Sequence, residues 1–150
     1  MPGRVALLDV NVLIALFDPD HIHHDVAHDW FADNRSRGWA TCPLTQNGFV
    51  RTAAALARTR EPVSVRVLAE GLRTFTASGR HSLWPDDVSL LDATVFNHTV
   101  LLGHQQLTDI YLLGLAVKHK GVLVTFDRKI PIEAVTGASK THVESLDLSD

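Results

Sequence analysis

Apolar runs and polar punctuation alternate along this chain in a way that predicts strands alternating with helices. VALLDV at 5–10 is a short leucine and β-branched run of the length of a strand buried on both faces, as in a parallel sheet. It ends in Asp9. Asn11 offers a cap for a short apolar helix, VLIALF, which Asp18 and Pro19 stop. From His23 to about Arg35, Val26, Ala27, Trp30 and Phe31 recur at three- and four-residue steps, the signature of an amphipathic helix. Gly38 closes it, and WATCPL reads as a second strand. After Pro43, Thr45 is placed to cap a helix through QNGFVRTAAALAR, with Phe49, Ala53 and Leu56 on one stripe, until Glu61-Pro62 breaks it.

Ser64 opens a further helix, VRVLAEGLRTFTA, whose apolar face is Val67, Leu68, Leu72 and Phe75, and Gly79 ends it. HSLWP at 81–85 predicts a third strand and the segment from about Val88 to His98 a helix. GHQQLTDIYLLGLAVKHKG is then a loop feeding a strongly apolar helix, with Thr108 as cap, Lys118, His119 and Lys120 near its end and Gly121 as stop. VLVTF at 122–126 is the clearest strand, with Asp127 just past it, and VESL at 143–146 adds a last one. Strands alternating with helices imply an α/β sandwich on a mainly parallel sheet. Ligands of such sheets bind at the carboxyl ends of the strands.

Composition narrows the class without naming a function. A length of 150 residues suits one compact domain, 1–150, with its own core, and neither repeat nor linker divides it. Hydrophobic residues at 45% and charged ones at 21% lie far from the signature of disorder. Runs such as YLLGLAV fall short of the roughly 18–20 residues that cross a bilayer, so no membrane span is expected. The opening MPGRVALLDVNVLIALF has the cation and apolar stretch of a signal peptide, but Asp9 and Asn11 interrupt it and no small-residue cleavage site follows. A buried strand in a cytoplasmic protein is the reading. Cys42, the single cysteine, has no disulfide partner and is read as buried filler. A net charge of −3 argues against coating nucleic acid through a general positive field. A nuclease whose acidic site lowers the total, with arginines elsewhere gripping phosphate, remains compatible.

Three aspartates stand out by position: Asp9 ending the first strand, Asp109 opening the apolar helix, and Asp127 after VLVTF. The sheet rule places all three at one edge. Converging carboxylates repel, so at neutral pH they keep a proton or share a cation. Oxygen ligands without cysteine or paired histidine favour Mg²⁺ or Mn²⁺ over zinc, and such a cation activates water and neutralises charge in phosphodiester displacement. Taken singly, each acid also has a structural reading, Asp109 as a first-turn dipole partner and Asp127 as a turn residue.

LLDVNVLIAL, followed about a hundred residues later by LTDIYLLGLAVKHKGVLVTFDRKI, resembles the two signature blocks of the PIN domain family, especially the VapC toxins of toxin–antitoxin pairs. GWATCPLTQNGFVR is similar to the block between them. The resemblance spans roughly residues 4–130 and implies a three-layer α/β/α sandwich. It also implies an endoribonuclease that uses Mg²⁺ or Mn²⁺, a dimer, and a small antitoxin that engages the active-site groove. By the same resemblance, Asp9, Asp109 and Asp127 fall on the family's acidic, metal-holding positions, Asn11 on the polar residue two after the first acid, and Thr125 on a hydroxyl near the last. One departure stands out: Gln46 occupies the place where the middle block supplies a glutamate. An amide still offers a carbonyl to a cation or its water, but the site loses a negative charge. A degenerate domain that binds RNA or antitoxin without cutting is therefore the alternative to a nuclease.

Several further groups have two readings each. His21, His23, His24 and His28 cluster, with His24 and His28 at a spacing that suits zinc or at a solvated helix start. Arg51, Arg58 and Arg60, with Arg128 and Lys129, are either phosphate grips beside the acids or surface charges, with Arg51 and Arg128 the candidates for RNA contact. Trp30, Trp39, Trp84 and Phe49 read as core or dimer surface ahead of base-stacking platforms. A phosphoryl-receiver module is the remaining class, and LLDVN carries one acid where that class needs a pair.

Overall fold

Five short strands, all parallel, carry the molecule in the order β3-β2-β1-β4-β5. The computed structural model describes residues 3–57, 63–100 and 103–146. The strands are β1 (Ala6–Leu8), β2 (Trp39–Thr41), β3 (His81–Leu83), β4 (Val122–Thr125) and β5 (Val143–Ser145). Central β1 pairs with β2 on one side, Ala6 opposite Trp39, and with β4 on the other, Ala6 opposite Val122. β1, β2 and β4 are wholly buried, as expected for strands covered on both faces.

The pleat sends alternate residues of β1 into two separate cores. Ala6 and Leu8 meet helices α1 (Val10–Phe17), α2 (His24–Asn34), α3 (Pro43–Ala57) and α4 (Val65–Thr76) through Leu13, Phe31, Phe49 and Leu72. Leu7 faces α5 (Leu107–Lys118), whose Leu112, Leu113 and Leu115 pack with Trp84, Phe96 and Val135. Each leucine so buried contributes about 1.5–3 kcal/mol, and the result is the expected α/β/α sandwich. Among the described residues no helix is long and apolar enough to cross a membrane.

Helix ends differ from the sequence reading in four places. Asp9, not Asn11, caps α1, because its carboxylate accepts the Val10 N–H and α1 begins two residues earlier than expected. α3 begins at Pro43, so Thr45 lies in its first turn, where its hydroxyl accepts the Cys42 N–H at 3.0 Å. A 3-10 turn, His104–Gln106, leads directly into α5, so Thr108 is the helix's second residue and caps nothing. At the far end Lys120 takes the left-handed conformation, φ 57°, while Gly121 is needed for space. A Cβ on Gly121 would lie 2.5 Å from Trp84 and 2.6 Å from the Val5 carbonyl. Ser64, by contrast, caps α4 as expected through the Val67 N–H.

The helix expected from Val88 to His98 is absent; turns and one bridge, Phe96 to Val135, replace it. Ser89, Asp92 and Asn97 turn their side-chain oxygens onto the N–H groups of Leu91, Thr94 and Thr99, and such local bonds compete with helical ones. The segment instead plants Phe96, fully buried, against Gly114 of α5. The Glu61-Pro62 break, Arg58 and Arg60 lie outside the described residues.

Candidate active site

The chain turns from β1 into α1 at Asp9, and the turn fixes its carboxylate twice. Oδ1 accepts the Val10 N–H at 2.7 Å and Oδ2 accepts the Thr125 hydroxyl at 2.9 Å. Asp9 is only 6% exposed, and burial pushes its carboxyl above the ordinary range despite those two donors. Thr125, fully buried at the end of β4, also accepts the Asp127 N–H at 3.1 Å. One hydroxyl thus joins the first acid to the backbone that carries the last.

Asp127 lies just beyond β4, where its Oδ1 accepts the Lys129 N–H at 2.8 Å and its carbonyl accepts the Ser145 hydroxyl. Asp109 occupies the first turn of α5, the place where helix-terminal N–H groups favour a carboxylate. Its pKa is nevertheless raised to about 7, by burial first, then by the Asp9 charge, then by hydrogen bonding with Asp127 and that group's charge. Asp109 therefore interacts with both other acids. The all-parallel sheet brings them together because β1 and β4 are neighbours in register and both end at this edge.

Burial and mutual repulsion together raise these carboxyls, and a hard cation would relieve both. Among the described residues no three or more histidine, cysteine or acidic side chains are arranged to hold a metal ion. The fit to a divalent cation is in donor chemistry, an oxygen-only set with excess negative charge.

Gln46 lies on the neighbouring helix and is bonded elsewhere. Its Nε2 donates to Thr41 Oγ1 at 3.0 Å, and that oxygen is 2.7 Å from His81 Nε2. Gly48, one half-turn on, comes so close to α1 that a Cβ would meet Val10 at 2.7 Å. α3 is thereby seated against the residue after Asp9. Asn11 is exposed in the first turn of α1, and Arg51 and Arg128 are exposed on α3 and after Asp127. Thr41, His81 and Ser145 went unnoticed in the sequence. Their roles depend on strand neighbours about 20–40 positions away, which local spacing does not reveal.

The remaining groups are mostly structural. Trp39, Trp84 and Phe49 are buried, while Trp30 donates its indole N–H to Glu144, which also pairs with Arg37 at 3.1 Å. His21 and His23 lie against Phe126, and His24 bonds the Ala15 carbonyl with His28 beside it. Cys42 is free and buried, its thiol pushed up to about 11 by burial.

Comparison with known proteins follows the same outline. A family model described as PIN domain matches residues 6–135. Ribonuclease VapC44 of Mycobacterium tuberculosis (strain ATCC 25618 / H37Rv) is 46% identical over 141 residues, covering 94% of this chain and 99% of the relative. Ribonuclease VapC39 of the same strain is 39% identical over 132 residues, 88% of this chain and 95% of the relative. Ribonuclease VapC29 is 40% identical over 121 residues, 81% and 84% respectively.

Proposed function

Because the chain belongs to the PIN domain family, we propose that it is a metal-dependent endoribonuclease, the toxin of a VapBC-type toxin–antitoxin pair, working as a single domain in the cytoplasm. What supports the reading is the raised pKa of Asp109, about 7, which burial produces first and the charges of Asp9 and Asp127 add to, as for acids that converge at one edge of the sheet. The relatives' names, each a ribonuclease, give the substrate class.

Asp9, Asp109 and Asp127 are the groups that would hold Mg²⁺, with Mn²⁺ as an equivalent. The bound cation supplies activation of water and neutralisation of the charge that develops on the phosphodiester. Thr125, a substrate-binding candidate in the sequence, is buried and positions Asp9 through its hydroxyl. Gln46 and Asn11 orient water or substrate, and Arg51 and Arg128 bind phosphate. The partners are RNA, a cognate antitoxin and a second copy of the chain.

Purified protein is expected to cleave RNA with Mg²⁺ or Mn²⁺, and Asp9→Asn is expected not to. Equal cleavage by both proteins overturns the reading. The uncharged Gln46, with its amide committed to Thr41, favours a second reading in which the domain binds without cutting. An inert natural protein at saturating metal, together with a Gln46→Glu variant that cleaves, selects that alternative.

A further inference from the structure

Between α3 and α4 runs a groove of about 470 Å³, walled by Pro43, Val50, Ala69 and Leu72 and edged by the polar groups of Gln46, Asn47, Arg73 and Thr76. Its volume lies within the roughly 300–1,000 Å³ of small-ligand sites, and its lining is about half polar and half apolar, more polar than most such sites. Gln46 belongs both to this groove and to the set of candidate active-site residues. Gln46 bonds Thr41, the last residue of β2, and β2 lies beside β1, so the groove adjoins the carboxyl edge of the sheet at which Asp9 lies.

The polar groups around it have unspent capacity. Gln46 donates Nε2 to Thr41, which fixes the amide and leaves its carbonyl oxygen as an acceptor. The Thr76 hydroxyl donates to the Arg73 carbonyl, leaving its lone pairs available. Asn47 and Arg73 are exposed, and Arg73 makes no ion pair among the described residues. In a chain of net charge −3, an unpaired guanidinium at the mouth of an apolar slot suits an anion attached to a flat, hydrogen-bonding body.

We propose that this groove is a subsite for one unpaired nucleotide of the RNA strand beside the scissile bond. Its base packs between Val50 and Leu72, the amides of Gln46 and Asn47 meet the base edge, and Arg73 takes the phosphate. The inference rests on the ribonuclease reading for its substrate class. It makes the α3–α4 pair the part of the molecule that selects sequence, in keeping with recognition of RNA through unpaired bases.

The test is fluorescence anisotropy of labelled hexaribonucleotides, poly-A, -C, -G and -U, with the full chain in EDTA. Binding is read without cleavage, so a failed nuclease assay leaves this test standing. One homopolymer is expected to bind about tenfold more tightly than the weakest. Arg73→Ala and Asn47→Ala are each expected to weaken it about fivefold, the loss of a single polar contact, and Val50→Trp, which fills the slot, to abolish the preference. Lys140→Ala, exposed and on another face, is the control and is expected to bind as the natural chain does. If Val50→Trp misfolds by circular dichroism, the two exposed substitutions carry the test. Equal binding of all four homopolymers, or unchanged binding by Arg73→Ala and Asn47→Ala, overturns the proposal and leaves the groove to a protein partner.

Discussion

The Thr125 hydroxyl donates to Asp9 Oδ2 at 2.9 Å across 116 positions of sequence. Because the same oxygen accepts the Asp127 N–H, β1 and the loop after β4 are held to one geometry. Thr125→Val keeps the shape but strands a buried carboxylate oxygen and a backbone N–H. It is expected to cost about 1–3 kcal/mol in urea unfolding and to lower cleavage, while Thr125→Ser retains both. A Val variant as stable and active as the natural chain would count against the link.

Asp109 sets a pH dependence for the metal-free protein. Its folded pKa is raised to about 7 from the ordinary 3.8 of an aspartate, so the folded chain binds this proton more tightly than the unfolded one. The resulting stability is fully present below about pH 4 and is lost as pH rises through 7. Melting in EDTA should show a contribution that fades over this window. The gain from added Mg²⁺ should grow over the same interval. Asp109→Asn removes that component, and an unchanged profile in this variant would refute the assignment.

Asp9 trades stability for activity. Burying its charge, with the Asp127 charge nearby, is unfavourable without a cation. Asp9→Asn keeps an acceptor for the Val10 N–H and removes the buried charge. In EDTA it should melt higher, by about 2–4 °C for each kcal/mol recovered, although RNA cleavage is lost. A lower melting point would show that the carboxylate's own hydrogen bonds outweigh the cost of burying its charge.

Phe96 and Gly114 form a tight contact behind the helix that carries Asp109. A Cβ on Gly114 would approach the Phe96 ring to 2.6 Å, so Gly114→Ala is an overpacking change expected to cost about 1–3 kcal/mol. Adding Phe96→Leu should restore part of that loss. Calorimetry of the single and double variants measures the coupling, and simple additivity would exclude the contact as the cause.

Sequence alone determined the strands at β1 and β4, the acids at their ends and the parallel α/β class, because these follow from short apolar runs and the pleat. The Ser64 cap was equally legible, being a bond between residues three positions apart. Tertiary structure decided what depends on distant neighbours. It turned the segment 88–98 into a bracket for Phe96 and made Asp9 the cap of its own helix. Gly121 became a space-keeper under Trp84. It gave Thr125 two partners that only the β1–β4 register supplies, and it bonded Gln46 to Thr41, and through it to His81, on the far side of β1. Periodicity reports which face a side chain takes. Partners are chosen by which strands lie side by side, and that choice is made by the packing of the whole chain.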